Sequence, residues 1–213
     1  MREERYDIVI AGGGMIGTSL ALALAPLGLR VAIVEAVARQ DTAQPSFDDR
    51  STALSRSTQR MFEAMGLWPE IVAASTPILS IHVSDQGRFG FSHIDADEQG
   101  VEALGYVVIN RVLGQVLQRA LDDRTDVKVL CPARIVDVEL DGDAAAANVA
   151  FESGEAQRLT CSLLIAADGA RSAVREMMGI TAELSSYSQR AVIGNLLTEK
   201  PISNVAYERF TAR

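Results

Sequence analysis

The chain has 213 residues, of which 48% are hydrophobic and 23% are charged, values that predict a folded protein with an apolar core. Its net charge of −8 argues against nucleic-acid partners and against simple electrostatic docking on an anionic membrane. Cys131 and Cys161 lack CxxC spacing, and no cluster of side chains has the spacing of a metal site. We therefore expect two reduced, buried thiols, no metal and a cytoplasmic protein.

The first motif is a glycine-rich turn between two apolar segments. Residues 6–11 have the pattern of a buried parallel strand, and residues 15–27, rich in Ala and Leu, have that of a helix. Between them, Gly12, Gly14 and Gly17 follow the G-x-G-x-x-G spacing of dinucleotide-binding turns. We expect Gly12 to allow the tight turn, Gly14 to let backbone amides approach a diphosphate, and Gly17 to let helix and strand pack closely.

A second strand pattern, residues 29–34, ends in Glu35. A carboxylate at this place accepts hydrogen bonds from the ribose hydroxyls of an adenosine and repels a 2′-phosphate. The sequence therefore predicts bound FAD or NAD rather than NADP. The alternative is a glycine turn that serves packing alone, and the ordered series of strand, glycines, helix, strand and acid favours dinucleotide binding.

The rest of the chain alternates between helical and strand patterns. Helices are expected at residues 55–65, 111–121 and 171–178. Strands are expected at residues 78–84, 89–94, 107–109, 127–130, 133–140, 148–152, 163–167 and 190–198. The strands at residues 78–84 and 89–94 are expected to form a hairpin. These elements predict an α/β protein around a mostly parallel sheet, with two β-rich excursions from it.

Two further segments carry a resemblance to a known family. They are Asp48-Asp49-Arg50-Ser51-Thr52-Ala53-Leu54-Ser55 and Leu164-Ile165-Ala166-Ala167-Asp168-Gly169-Ala170-Arg171-Ser172-Ala173-Val174-Arg175. Together with the glycine turn, they resemble the single-component flavoprotein aromatic hydroxylases, the p-hydroxybenzoate hydroxylase-like class. Residues 81–87, 104–108 and 207–211 are similar to the ubiquinone-biosynthesis branch of that class.

The resemblance implies a Rossmann-like FAD-binding domain and part of a β-rich substrate domain. The first would comprise residues 1–72 and 106–180, and the second residues 73–105 and 181–213. The cofactor would be FAD, with NAD(P)H as a transient co-substrate. Gly12, Gly14 and Gly17 would hold the FAD diphosphate, and Glu35 the adenosine ribose.

Four more residues acquire cofactor roles from the resemblance, and each has a plainer alternative. Arg50 would approach the mobile flavin, or else be a solvated loop arginine. Arg111 would contact FAD phosphate or ribose, or else be a surface arginine. Its place at a helix N-terminus, where a cation opposes the helix dipole, hints at a nearby anion. Val136 would offer backbone atoms to the adenine, or else be a core valine. Asp168 would serve both FAD and NAD(P)H, and it also suits the N-cap of the next helix.

The implied function is an FAD-dependent monooxygenase that hydroxylates a polyprenylated phenol in ubiquinone biosynthesis, using NAD(P)H and O2. No catalytic side chain is predicted, because the cofactor performs the difficult chemistry. The sequence leaves open whether the protein contacts the inner membrane surface or other proteins of a ubiquinone-biosynthesis complex.

The family's second Gly-Asp motif is missing from the sequence after the Asp168-Gly169 element. We therefore expect the N-terminal half of a hydroxylase, holding FAD weakly or not at all and inactive alone. Two alternatives remain: a related flavin halogenase or prenyl reductase, and a non-catalytic binding or assembly module.

Overall fold

The structure, a computed structural model, describes residues 2–38 and 48–211. It divides into two compact units. The first comprises Met1–Asp48 and Gly114–Ala191, and the second comprises Asp49–Leu113 and Val192–Arg213.

Twelve strands and five α-helices are present in the described residues. The strands are β1 (Arg2–Ala11), β2 (Val31–Val34), β3 (Ser51–Ser55), β4 (Ser75–Ile78), β5 (Ser80–Asp85), β6 (Phe91–Asp95), β7 (Gly105–Ile109), β8 (Val127–Leu130), β9 (Ala133–Asp141), β10 (Ala144–Phe151), β11 (Ala156–Ala166) and β12 (Val205–Phe210). The helices are α1 (Met15–Leu24), α2 (Arg56–Ala64), α3 (Trp68–Ala73), α4 (Asn110–Asp122) and α5 (Ala173–Met177).

The first unit is built on a six-stranded sheet with the order β8-β2-β1-β11-β10-β9. The pairs β8–β2, β2–β1 and β1–β11 are parallel, and the pairs β11–β10 and β10–β9 are antiparallel. Strand β1 is central, because β2 lies on one side and β11 on the other, from Arg2 opposite Gln157 to Ala11 opposite Ala166. The predicted α/β fold with a mostly parallel sheet is confirmed.

Burial explains the continuous apolar sequence in the last four residues of β1 and throughout β2. Parallel strands covered on both faces need apolar side chains at every position. Val9, Ile10 and all four residues of β2 are buried accordingly. Helix α1 ends at Leu24, earlier than predicted, and a 3₁₀ turn over Ala25–Leu27 completes the segment.

The second unit contains two three-stranded sheets, with the orders β12-β5-β6 and β3-β7-β4. Strands β5 and β6 form the predicted hairpin, with Ser84 opposite Phe91. Helices α2 and α4 are present where the patterns at residues 55–65 and 111–121 predict them. Strands β3 and β4 and helix α3 have no counterpart in the sequence prediction.

The predicted strand at residues 190–198 is wrong. This segment has no helix or strand, and Val192, Leu196 and Leu197 are each at least 89% exposed. A strand requires a hydrogen-bonding partner, and the place beside β5 is taken by Val205–Phe210 instead, which pairs with it in parallel. The alternating pattern identified an extended segment without identifying the segment that pairs.

The boundaries of the compact units differ from the predicted division of the chain. Residues 49–72 and 106–113 belong to the second unit, because β3 pairs with β7, and β7 with β4. The assignment of one part of the chain to the cofactor and another to the substrate stays a prediction. Within the described ranges, no helix is long and apolar enough to cross a membrane, and no group of three His, Cys, Asp or Glu side chains could hold a metal ion.

The two cysteines differ in exposure. Cys161 lies in β11 and is 4% exposed, and this burial raises the pKa of its thiol. Cys131, which was also expected to be buried, is half-buried, because it follows β8 at the edge of the sheet; its thiol lies 3.3 Å from the carbonyl oxygen of Val37.

Native protein treated with iodoacetamide at about pH 8 is expected to react at Cys131 about tenfold faster than at Cys161. Reaction needs an accessible thiolate, and burial of Cys161 limits both access and ionisation. Peptide mass spectrometry over time measures both rates, and urea-unfolded protein is the control in which they converge. Equal rates in native protein would contradict the packing of β11.

Candidate functional site

The turn between β1 and α1 is shaped by two close approaches of backbone to glycine. Gly12 has φ +100°, and a Cβ atom there would overlap the carbonyl group of Ala167. A Cβ atom at Gly17 would overlap the carbonyl oxygen of Gly12 and lie 3.3 Å from the Cγ2 atom of Ile10. The start of α1 is thus pressed against both the turn and β1, as the spacing of the glycines predicted.

The beginning of α1 has the features of an anion site. Gly14 occupies the N-cap position with extended backbone and has no side chain with which to cap the helix. The amides in the first turn of a helix have no intrahelical acceptor, and the helix dipole places partial positive charge there. Together these properties favour a bound phosphate group.

Glu35 follows β2 directly and is fixed through its backbone and its side chain. Its amide donates to the carbonyl oxygen of Leu130, and its own carbonyl accepts from the amide of Ala133. Its Oε2 atom accepts from the amide of Gly13 at 2.6 Å, and Oε1 accepts from the amide of Val37 at 2.6 Å. Because a carboxylate has about four acceptor positions, these two donors from the described part of the chain leave about two positions for a ligand.

Asp168 lies just beyond the carboxyl end of β11. Its Oδ2 atom accepts from the amide of Val174 at 3.2 Å. Its Oδ1 atom is buried and has no hydrogen-bond partner among residues 2–38 and 48–211. The N-cap of α5 is Ser172, whose hydroxyl accepts from the amide of Arg175 at 3.0 Å. The prediction that Asp168 is the N-cap of this helix is therefore wrong, because α5 begins at Ala173 rather than near Arg171.

These groups border one cavity of about 510 Å³ in the first unit. Gly12, Gly14, Glu35 and Asp168 all line it, and Gly17 lies one turn further along α1. The cavity opens where β1, β2 and β11 end, which is the edge at which open α/β sheets bind their ligands. Its size is within the usual range for small-molecule sites, about 300–1,000 Å³.

Three residues of this site were not predicted. Gly13 holds Glu35, and Arg134 and Arg171 bring two cationic side chains to the cavity wall. The run of three consecutive glycines was a visible signal for Gly13. Arg171 was visible beside Asp168, whereas Arg134 had no sequence signal, because only the position of β9 brings it to the cavity.

Val136 lies in β9 at an irregularity of the sheet. Asp137 pairs with Asn148 and Ile135 pairs with Val149, so Val136 has no Cα partner on β10. Its side chain is 54% exposed, which excludes the alternative of a core valine. Such a bulge leaves backbone atoms outside the ladder. The predicted contact of this backbone with adenine stays a prediction.

Arg50 and Arg111 belong to the second unit. The carbonyl oxygen of Arg50 accepts from the amide of Asn110 at 2.8 Å. The Nε atom of Arg111 donates to Oδ1 of Asp49 at 3.0 Å. The carboxylate of Asp49 therefore accounts for the anion expected near Arg111, and the roles of both arginines toward FAD stay predictions.

The fold and this cavity define a dinucleotide-binding α/β protein of the flavoprotein type. The chain belongs to the FAD binding domain family, which matches residues 5–212. The predicted flavoprotein class and its cofactor FAD are thereby confirmed.

Among individual proteins, the chain is 33% identical over 205 residues to the ubiquinone hydroxylase UbiL of Rhodospirillum rubrum, covering 96% of this chain and 46% of that protein. It is 30% identical to the 3-demethoxyubiquinol 3-hydroxylase of Escherichia coli, covering 99% of this chain and 53% of that protein. The flavin-dependent monooxygenase PieE, solved with FAD and substrate, has the same fold: TM-score 0.70 and 21% identity over 84% of this chain and 33% of that chain. The chain spans about half the length of the curated relatives it matches.

The residues around the cavity fit FAD. Glycine at positions 12 and 17 allows the turn to approach Ala167 and α1 to approach the turn, because Cβ atoms there would overlap backbone carbonyl groups. This close packing brings the start of α1 to the cavity. Oδ1 of Asp168 is a buried acceptor without a partner among the described residues, and FAD has hydroxyl groups that can donate to it. A buried acceptor of this kind costs free energy unless a donor reaches it.

Proposed function

We propose that the protein acts as an FAD-dependent monooxygenase that hydroxylates a polyprenylated phenol in ubiquinone biosynthesis, with NAD(P)H and O2 as co-substrates. The observation that carries this proposal is the 33% identity to a ubiquinone hydroxylase over 96% of the chain. Residues 81–87, 104–108 and 207–211 support it further, because they resemble 2-octaprenyl-6-methoxyphenol hydroxylase in particular.

The described residues have distinct parts in this proposal. The start of α1 binds the FAD diphosphate, Glu35 accepts hydrogen bonds from the ribose, and Oδ1 of Asp168 accepts from a cofactor hydroxyl. Backbone atoms beside the bulge at Val136 serve the adenine, and Arg50 and Arg111 serve the flavin and phosphate ends. Bound FAD supplies the redox chemistry, taking electrons from NAD(P)H and activating O2.

A bacterial strain that lacks its own ubiquinone hydroxylase tests the reaction. Because the chain spans about half the length of its curated relatives, the test uses a gene that encodes a protein of the relatives' full length containing this chain. Its expression is expected to restore ubiquinone, and the accumulated precursor is expected to gain one oxygen atom in mass-spectrometric analysis of the extracted quinones, whereas the 213 residues alone are expected to be inactive. The control is the same gene with Gly12→Val, whose side chain would overlap the carbonyl group of Ala167.

Other outcomes would overturn the proposal in distinguishable ways. A halogenated phenol would indicate a flavin halogenase, and a prenyl chain that gains hydrogen would indicate a prenyl reductase. Purified protein that binds no FAD in a fluorescence titration, from a strain whose quinones do not change, would indicate a binding or assembly module. Recovery of the protein with other ubiquinone-biosynthesis proteins would support membership of a complex in addition to the reaction.

A further inference from the structure

The side chain of Glu35 is held by hydrogen bonds from the protein itself. Both of its carboxylate oxygens accept from backbone amides at 2.6 Å, one from Gly13 and one from Val37. These distances are short even for hydrogen bonds to an ionised acceptor. The backbone of Glu35 is also hydrogen-bonded to the backbone of Leu130 and Ala133. This residue therefore connects the glycine turn, the end of β2, the end of β8 and the start of β9 around the cavity.

The reason that position 13 requires a glycine differs from the reason that position 12 does. Gly12 has φ +100°, which a residue with a side chain rarely adopts, whereas Gly13 is outside the left-handed region. A Cβ atom at position 13 would lie 3.0 Å from Cβ of Glu35 and 3.3 Å from both Cγ and Oε2. The side chain of Glu35, and not the backbone conformation, therefore excludes larger residues here.

We propose that Gly13 is a positioning residue for Glu35. Its amide holds the carboxylate at the adenosine end of the cavity, and its missing side chain leaves the space that the carboxylate occupies. The amide of Gly13 consequently serves Glu35 and is withdrawn from the diphosphate. The link to the adenosine ribose rests on the proposed function, whereas the pairing of Gly13 with Glu35 does not.

This division separates two tasks within one glycine motif. The amides at the start of α1 are directed to the diphosphate, and the preceding amide fixes the group that recognises the sugar. A larger residue at position 13 would therefore impair binding of the adenosine half through Glu35.

The first experiment needs no nucleotide. In Glu35→Ala, amide hydrogen exchange at Gly13 is expected to accelerate by about tenfold or more, because the amide loses a charged acceptor. Glu152→Ala is the matched control, since Glu152 is exposed in a turn of the same unit and is expected to leave exchange at Gly13 unchanged. Unchanged exchange in Glu35→Ala would overturn the pairing.

The second experiment is a double-mutant cycle read by FAD fluorescence titration. Gly13→Val and Glu35→Ala are each expected to raise the Kd for FAD by about tenfold or more, and the double variant is expected to be no weaker than Glu35→Ala alone. Losses that multiply would show that the valine side chain obstructs the diphosphate directly, which would overturn the proposal. Gly194→Val is the control, because a Cβ atom at Gly194 meets nothing within 4 Å.

Two further controls distinguish a variant that fails to fold, and a failure of the proposed function, from a failure of the pairing between Gly13 and Glu35. Circular dichroism identifies any variant that fails to fold. If Gly13→Val does not fold, Gly13→Ala replaces it in the cycle, because an alanine requires Glu35 to move by only a few tenths of an ångström. The expected loss of FAD affinity is then about threefold. The FAD titrations use a protein of the relatives' full length that contains this chain, since the 213 residues alone are expected to hold FAD weakly or not at all. If that protein binds no FAD, the proposed function fails, and the exchange experiment still decides whether Gly13 and Glu35 are paired.

Discussion

Gly17→Ala is expected to destabilise the first unit by about 2–4 kcal/mol and to abolish FAD binding. The added methyl group would overlap the carbonyl oxygen of Gly12, so either α1 must move away from β1 or the turn must open. Both movements displace the backbone that lines the cavity. Alanine is favoured over glycine within a helix by about 1 kcal/mol, so a loss of stability can only come from this contact.

Urea unfolding followed by circular dichroism measures the change in stability, and FAD fluorescence measures binding. Gly194→Ala makes the same chemical change where a Cβ atom meets nothing within 4 Å, and it is expected to change stability by less than about 0.5 kcal/mol. Stability equal to that of the unchanged protein in Gly17→Ala would mean that α1 does not pack against the turn as described.

Asp168→Ala is expected to weaken FAD binding by about 10- to 100-fold with little change in the stability of the FAD-free protein. The substitution removes an acceptor from the amide of Val174, which costs stability. It also removes the buried Oδ1 atom that has no partner among the described residues, which offsets that cost until FAD supplies a donor.

Ser172→Ala provides a matched comparison, because Ser172 also accepts from an amide of α5. It is not among the residues that line the cavity. Loss of this N-cap is expected to cost about 1 kcal/mol of stability and to leave FAD affinity nearly unchanged. If Asp168→Ala behaved in the same way as Ser172→Ala, the role of Asp168 would be limited to supporting α5.

The first strand, helix and second strand could be predicted because their sequence patterns are local. Two apolar segments on either side of three glycines, followed by an acid, allow few other arrangements. The strand predicted at residues 163–167 shows the limit of this approach, since β11 begins at Ala156. Its earlier half pairs with β10, and from Gln157 to Cys161 it alternates between buried and half-buried residues, so it lacks the continuous apolar sequence of the predicted strand.

The partners of the predicted residues could not be obtained from sequence. Glu35 was expected to bind ribose, but nothing in the sequence showed that Gly13 and Val37 already donate to it. Asp49 was not expected beside Arg111, because the two are far apart in the chain. Hydrogen bonds between distant segments depend on the register of strands, which local patterns do not encode.

The central position of β1 has a consequence for how the protein is made. Arg2 is translated well before Gln157, its neighbour on one side in the sheet. At translation rates of about 5–20 residues per second, this nascent strand waits on the order of ten seconds with one edge unpaired. An apolar edge exposed for so long is a target for aggregation, so chaperone supply during translation should influence the yield of this protein more strongly than its final stability does.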